Sequence, residues 1–148
     1  MSDLRNRVTE DIKTAMRAGE KERLSVLRML SSEIKNRELV DSVEITDAVV
    51  IASIEKMVKQ RRDSVSQYQA GNRPELADKE TAEIAVLMGY LPQQLSAGEV
   101  EALIAQAIAE TGAQGAKDMG KLMAWLKPKV AGKTDMGKLS GLIKAKLG

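Results

Sequence analysis

Apolar residues return every three or four positions along most of this chain and nowhere alternate convincingly with polar ones, so the pattern predicts an all-α protein. Leu4, Val8, Ile12 and Ala15 or Met16 form the first stripe, opened by Ser2 as N-cap with Asp3 at the positive end of the helix dipole, and closed by Gly19. A second helix is expected from about Glu20 to Glu38. Leu24, Leu27, Leu30 or Ser31, and Ile34 point inward there, Val26 and Met29 widen the stripe, and Arg23 and Arg28 border it, ready to pair with acids of a neighbouring helix. After the polar loop Asp41 to Glu44, Thr46 and Asp47 cap the longest helix, about 47 to 70. Its seam is Val50, Ile54, Met57 or Val58, Arg61, Val65 and Tyr68, which puts a charge at Arg61 among apolar neighbours.

Gly71 and Asn72 break that helix, and Pro74 suits the first turn of a fourth, ending near Tyr90. Leu76, Ile84, Leu87, Met88 and Leu91 supply its apolar side, Glu75, Asp78, Glu80 and Glu83 load its early part with acid as the dipole prefers, and Glu80 and Glu83 are expected on exposed helix surface. Pro92 stops this helix, and Ser96 with Glu99 spells a capping box for a fifth, about 97 to 111, which buries Val100, Leu103 or Ile104, Ala107 and Ile108. Gly112 and Gly115 end it. The clearest boundary in the chain is the segment around Pro92, from Leu91 to Ser96.

Within the tail one pattern is written twice, Asp118-Met119-Gly120-Lys121-Leu122 and Asp135-Met136-Gly137-Lys138-Leu139, each followed by apolar residues at helical spacing. Two short helices are expected around a link, Lys127 to Lys133, where Pro128 disfavours helix at Lys127 and Gly132 tolerates the positive φ of a helix stop. Gly120 and Gly137, lacking a Cβ, are expected to admit another backbone closely.

Charge sharpens the picture. From Lys117 onward eight lysines face two acids, a net of +6, which leaves the rest of the +2 chain at −4. A cationic module on a mildly acidic body suits an anionic partner, nucleic acid first, although lysines also keep a small helical module soluble. The basic cluster Lys59, Arg61 and Arg62 reads as a solvated face balanced by Glu55 and Asp63.

With no cysteine and no histidine, the chain has no thiolate nucleophile, zinc–thiolate site, imidazole base or ordinary triad. Glu80 and Glu83 lack the histidines that a carboxylate di-metal bundle needs. Gly132-Lys133-Thr134 ends like a phosphate-binding loop, but it has neither the earlier glycine nor a preceding strand. No catalytic, metal or cofactor site is therefore expected. No apolar run approaches a membrane span, the first residues lack the apolar block of a secretory signal, and a cytoplasmic location is expected.

Together these stretches resemble the YqeY proteins, whose tail domain is shared with the B subunit of glutamine-dependent aminoacyl-tRNA amidotransferases. The matching residues run in order through most of the chain: Glu22 to Leu30, Arg61-Arg62-Asp63-Ser64, Tyr68 to Glu80, Tyr90-Leu91-Pro92-Gln93-Gln94-Leu95-Ser96, Asp118 to Lys121, and Gly132 to Asp135. Met136 stands where the family commonly has a small residue. The resemblance implies an all-helical protein in two parts, an N-terminal bundle of about four helices, 1–92, and a smaller tail domain of about three, 93–148, which in the amidotransferase helps hold tRNA by the shape of its elbow while amide chemistry happens elsewhere.

The leading expectation is a noncatalytic RNA-binding accessory module linked to tRNA-dependent amidation. Lys121, Lys127, Lys129, Lys133, Lys138 and Lys144 would meet phosphates beside free amides at helix starts. One Trp, two Tyr and no Phe argue against stacking on single-stranded bases. Trp125 fits the core or a partner surface better than an exposed base. The alternative is an adaptor that docks on an aminoacyl-tRNA synthetase or an amidotransferase subunit. A third reading is carbon–nitrogen ligase activity with glutamine as amido donor, acting only within a complex, since no activated nucleophile is visible.

Overall fold

Ser2 opens α1 (Asp3–Ala18) by accepting from the Arg5 amide at 3.0 Å, and Gly19 closes it in the left-handed region at φ 70°. This is a computed structural model that describes residues 2–147; α2 (Lys21–Leu39), α3 (Asp47–Ala70) and α4 (Pro74–Met88) follow. The chain then continues with α5 (Ala97–Thr111), a 3₁₀ turn (Ala116–Asp118), α6 (Met119–Val130) and α7 (Met136–Leu147). No strand occurs among the described residues, and the protein is all-α. Contacts cluster into two units, one ending at Leu91 and the other beginning at Pro92.

In the first unit α3 packs most extensively on α4, and the core gathers Val8, Leu27, Leu30, Ile34, Val50, Ile54 and Leu87. Where the apolar spacing left a choice, geometry decides it: Ala15 is buried and Met16 exposed, Leu30 is buried and Ser31 only half so, and Met57 and Val58 are both buried. The N-cap of α3 is Thr46, whose hydroxyl accepts from the Val49 amide at 3.3 Å. Its first residue, Asp47, reaches back to α1, accepting from the Ser2 hydroxyl and from the Leu4 amide at 3.2 Å. These bonds, the Ser2 hydroxyl foremost, hold the Asp47 carboxyl below its usual range.

Some charges placed on the surface by sequence are largely buried and paired in this unit. Arg61 leaves the exposed basic cluster and turns inward, its Nε 3.4 Å from Glu83 Oε2, with the two side chains only 12% and 13% exposed. The expectation that Glu83 is plain helix surface is thus corrected: a cation in the α3 seam needs an anion on the helix packed against it. Glu80 beside it is pushed above the ordinary carboxylate range, by burial first and then by the neighbouring Glu83 charge. At the end of the unit Tyr90 is buried and donates its hydroxyl to Asp11 Oδ2 at 2.5 Å, while Arg7 lies over the ring at 4.7 Å and donates to the Gly89 carbonyl at 3.2 Å. Burial, then the bond to Asp11, drive the Tyr90 phenol upward, so it stays a neutral donor.

The second unit closes on Val100, Ile104, Ala107, Leu122, Leu126, Val130, Leu139 and Ile143. The capping box at Ser96 forms as expected, with Ser96 and Glu99 exchanging bonds at 3.1 and 3.2 Å. The link between the last two helices is shorter than expected, because α6 runs through Lys127 and Pro128 to Val130. Pro128 lacks one amide donor to the preceding turn, but the burial of Leu122, Leu126 and Val130 along one stripe carries the helix past it. Gly132 does supply the left-handed stop, at φ 72°. The expected close backbone approach at Gly120 and Gly137 is not found: nothing lies within 4 Å of a Cβ built at Gly120, and at Gly137 the near atom is an Asp135 side-chain oxygen at 3.2 Å.

Candidate nucleic-acid interface

The two copies of the repeated motif start α6 and α7 at the same place, Met119 and Met136, but use their aspartates differently. Asp118 ends the 3₁₀ turn and folds back to accept from the Gln114 amide at 2.9 Å, which is the main reason its carboxyl is held below the usual range. Asp135 faces forward and caps α7, accepting from the amides of Gly137 at 2.8 Å and Lys138 at 3.4 Å. Those amides are therefore not free for a phosphate. The expectation that lysines and helix-start amides act together is corrected at α7, since a carboxylate of the chain itself already occupies the positive end of the dipole.

What remains for an anion is lysine charge. Lys121, Lys127, Lys129, Lys138 and Lys144 are exposed, and Lys133 is half-buried. At about 100° per residue, Lys121 lies opposite the buried stripe of α6, with Lys127 and Lys129 on its two flanks. On α7, Lys138 and Lys144 both face away from Leu139 and Ile143, about 120° apart. Five of the six thus spread around the outer sides of the two helices, and Lys133 lies in the turn between them. Among the described residues none of them forms an ion pair with a carboxylate.

Lys129 has a different partner. Its Nζ sits 3.8 Å from the centroid of the Trp125 ring, and the indole Nε1 donates to Glu110 Oε2 of α5 at 3.0 Å. Trp125 is packed against the second core, tied on one side and covered on the other, in line with its reading as a packing residue. Lys133 is held by its backbone: its carbonyl accepts from the Leu95 amide at 2.8 Å, and Gln94 Nε2 donates to the Gly132 carbonyl at 2.6 Å. The segment after Pro92 therefore buttresses the α6–α7 turn. Sequence reasoning quoted Gln94 and Leu95 without finding this role, because only spacing along the chain was legible and the bonds span 38 residues. Met136 takes an ordinary helical place and packs on the core, so its bulk leaves the turn regular.

A family model described as Yqey-like protein matches residues 5–147. The chain belongs to the YqeY family. Among curated relatives it is similar to the protein named altered inheritance of mitochondria protein 41, mitochondrial, from Pyrenophora tritici-repentis, at 28% identity over 129 residues, covering 86% of this chain and 71% of that one. The protein of the same name from Kluyveromyces lactis is 32% identical over 105 residues, 68% of this chain and 56% of the relative. That from Lachancea thermotolerans is 33% identical over 93 residues, 62% and 50% respectively. This YqeY chain thus spans between half and three-quarters of the length of these relatives. Their names also correct the cytoplasmic location expected from sequence, since all three are designated mitochondrial.

Proposed function

We propose that this YqeY chain is a noncatalytic accessory module that binds folded RNA, tRNA in the first place, through the lysines of its second unit. The observation that carries the reading is the contrast in how charge is used. In the first unit Arg5, Arg23, Lys56 and Arg61 are paired across helices with Glu38, Asp11, Glu33 and Glu83, whereas among the described residues the lysines of the second unit have no carboxylate partner. Ammonium groups on the outer sides of two short helices, without a carboxylate partner among the described residues, are the kind of group that a phosphate backbone attracts. With the α7 amides capped by Asp135, the lysines alone supply the attraction, so the surface reads shape and charge and not base sequence. Lys121, Lys127, Lys138 and Lys144 are the principal contacts, with Lys133 at the turn and Lys129 swinging from Trp125. The link to tRNA-dependent amidation rests on the likeness of the tail to the amidotransferase B subunit, and the reactive groups belong to the partner enzyme.

The test is the RNA that co-purifies with the intact protein from cells, sequenced for the natural chain and for a Lys127→Glu/Lys138→Glu/Lys144→Glu variant. All three positions are exposed, so the fold should survive the changes. The reading expects tRNA to be enriched with the natural chain and lost from the variant. Equal recovery from both would remove it.

A further inference from the structure

The outward side of α2 carries a second pattern, independent of the lysines just described. Val26, Leu27, Leu30 and Ile34 are buried in the first core. On the opposite side Lys21, Ser25, Arg28, Ser32, Lys35 and Leu39 follow one another at alternating steps of four and three, and all six are exposed. Lys21, Arg28 and Lys35 are thus one heptad apart, as are Ser25, Ser32 and Leu39. Such a spacing keeps one stripe in line along a helix and is the geometry with which helices meet side by side. An open trough of about 780 Å³ runs along this side, floored in part by Leu24 and Met29.

Three properties define what would fill it. Lys21 and Arg28 have no carboxylate partner among the described residues, while Glu33, the acid lining the trough, is engaged by Lys56 at 3.5 Å. The trough therefore presents unbalanced positive charge. Ser25 and Ser32 are small, which lets a second backbone lie close between the cations. The stripe ends at Leu39 and Val40, which at 76% and 71% exposure are the most exposed large apolar side chains among the described residues. Met29, 40% exposed, adds an apolar contact at mid-length. Nucleic acid fits this combination less well, because an apolar end and a methionine offer a phosphate backbone nothing.

We propose that the outer face of α2 is a docking surface for an acidic amphipathic helix of a partner protein. The partner helix carries carboxylates one heptad apart against Lys21, Arg28 and Lys35, and an apolar residue that covers Leu39 and Val40. Charge complementarity sets its register, and the apolar end and Met29 supply the desolvated contact. A chain that holds RNA with one unit and a protein helix with the other would act as a bridge between them.

The test uses the full chain, isotopically labelled for NMR, and a synthetic 19-residue helical peptide with Glu at heptad spacing and Leu at the end facing Leu39. Binding should move the amide signals of the outer face of α2 and the methyl signal of Met29. A Lys21→Glu/Arg28→Glu/Lys35→Glu variant should lose this binding by at least about tenfold, roughly 1.4 kcal/mol, and should instead bind a peptide with Lys in place of Glu. Arg28→Glu alone, at a single exposed site, serves the same comparison with a smaller loss if the triple variant folds poorly. The proposal is overturned if the acidic peptide does not bind, or if charge reversal leaves its affinity unchanged. It is equally overturned if the α2 signals respond to an RNA duplex instead, or shift with protein concentration alone as a second copy occupies the face.

Discussion

The two units of this protein are built from the same kind of helix but use charge in opposite ways. In the first, basic and acidic side chains reach across helix boundaries: Arg5 to Glu38, Arg23 to Asp11, Arg61 to Glu83, with Tyr90 donating to Asp11. In the second, Glu99 and Asp135 serve as caps, Asp118 as a turn anchor and Glu110 as the acceptor for Trp125, while among the described residues none of the candidate lysines pairs with a carboxylate. The second unit closes on a core of mainly aliphatic side chains, with no carboxylate–lysine pair across its helices among the described residues. The lesson is that an unpaired charge says more about function than a large charge does.

The comparison breaks most visibly in the cores. Leu126 is fully buried in the second unit, and Leu126→Ala should cost about 2–5 kcal/mol in urea unfolding followed by the fluorescence of Trp125, the only tryptophan and a member of that core. In the first unit Arg61→Met strands Glu83 beside Glu80 and should cost about 2–3 kcal/mol by circular dichroism, whereas Arg61→Met with Glu83→Leu should recover most of that loss. No such pattern is expected for any tail lysine: Lys127→Met should change stability by less than about 0.5 kcal/mol. Removing the cap with Ser96→Ala should cost about 1 kcal/mol, again read through Trp125.

The smallest effect depends on pH. Because folding raises the Glu80 pKa, through burial and then the Glu83 charge, the ionised group opposes folding at neutral pH and the penalty disappears as protonation proceeds. Glu80→Gln should therefore raise the urea midpoint at pH 7, with the gain vanishing below the ordinary carboxylate value of 4.5. A gain that persists in acid would point to packing instead of charge.

Much of the architecture was legible because local chemistry decided it. Ser2, Thr46 and Ser96 cap the helices they precede, and Gly19, Gly112 and Gly132 take positive φ at helix ends. What stayed hidden involves pairs distant in sequence: Arg61 with Glu83, Tyr90 with Asp11, Gln94 with Gly132. Pro128 misled for a related reason, since its local preference is overridden by three buried side chains whose partners lie on other helices. The lysines of the candidate interface could be named from sequence. Whether each had a partner could not, and that is why Lys129 over Trp125 and the Asp135 cap alter the site's chemistry.

The central claim is that unpaired lysines of the second unit bind the phosphates of folded RNA. It is tested most directly by the affinity of the intact protein for labelled tRNA across a range of salt concentrations. If about five lysines displace counterions, log affinity should fall against log salt with a slope of magnitude about 3 to 4, reduced by roughly one for each lysine replaced. Measurable binding with a slope near zero, or a slope unchanged in Lys127→Glu/Lys138→Glu/Lys144→Glu, would contradict it.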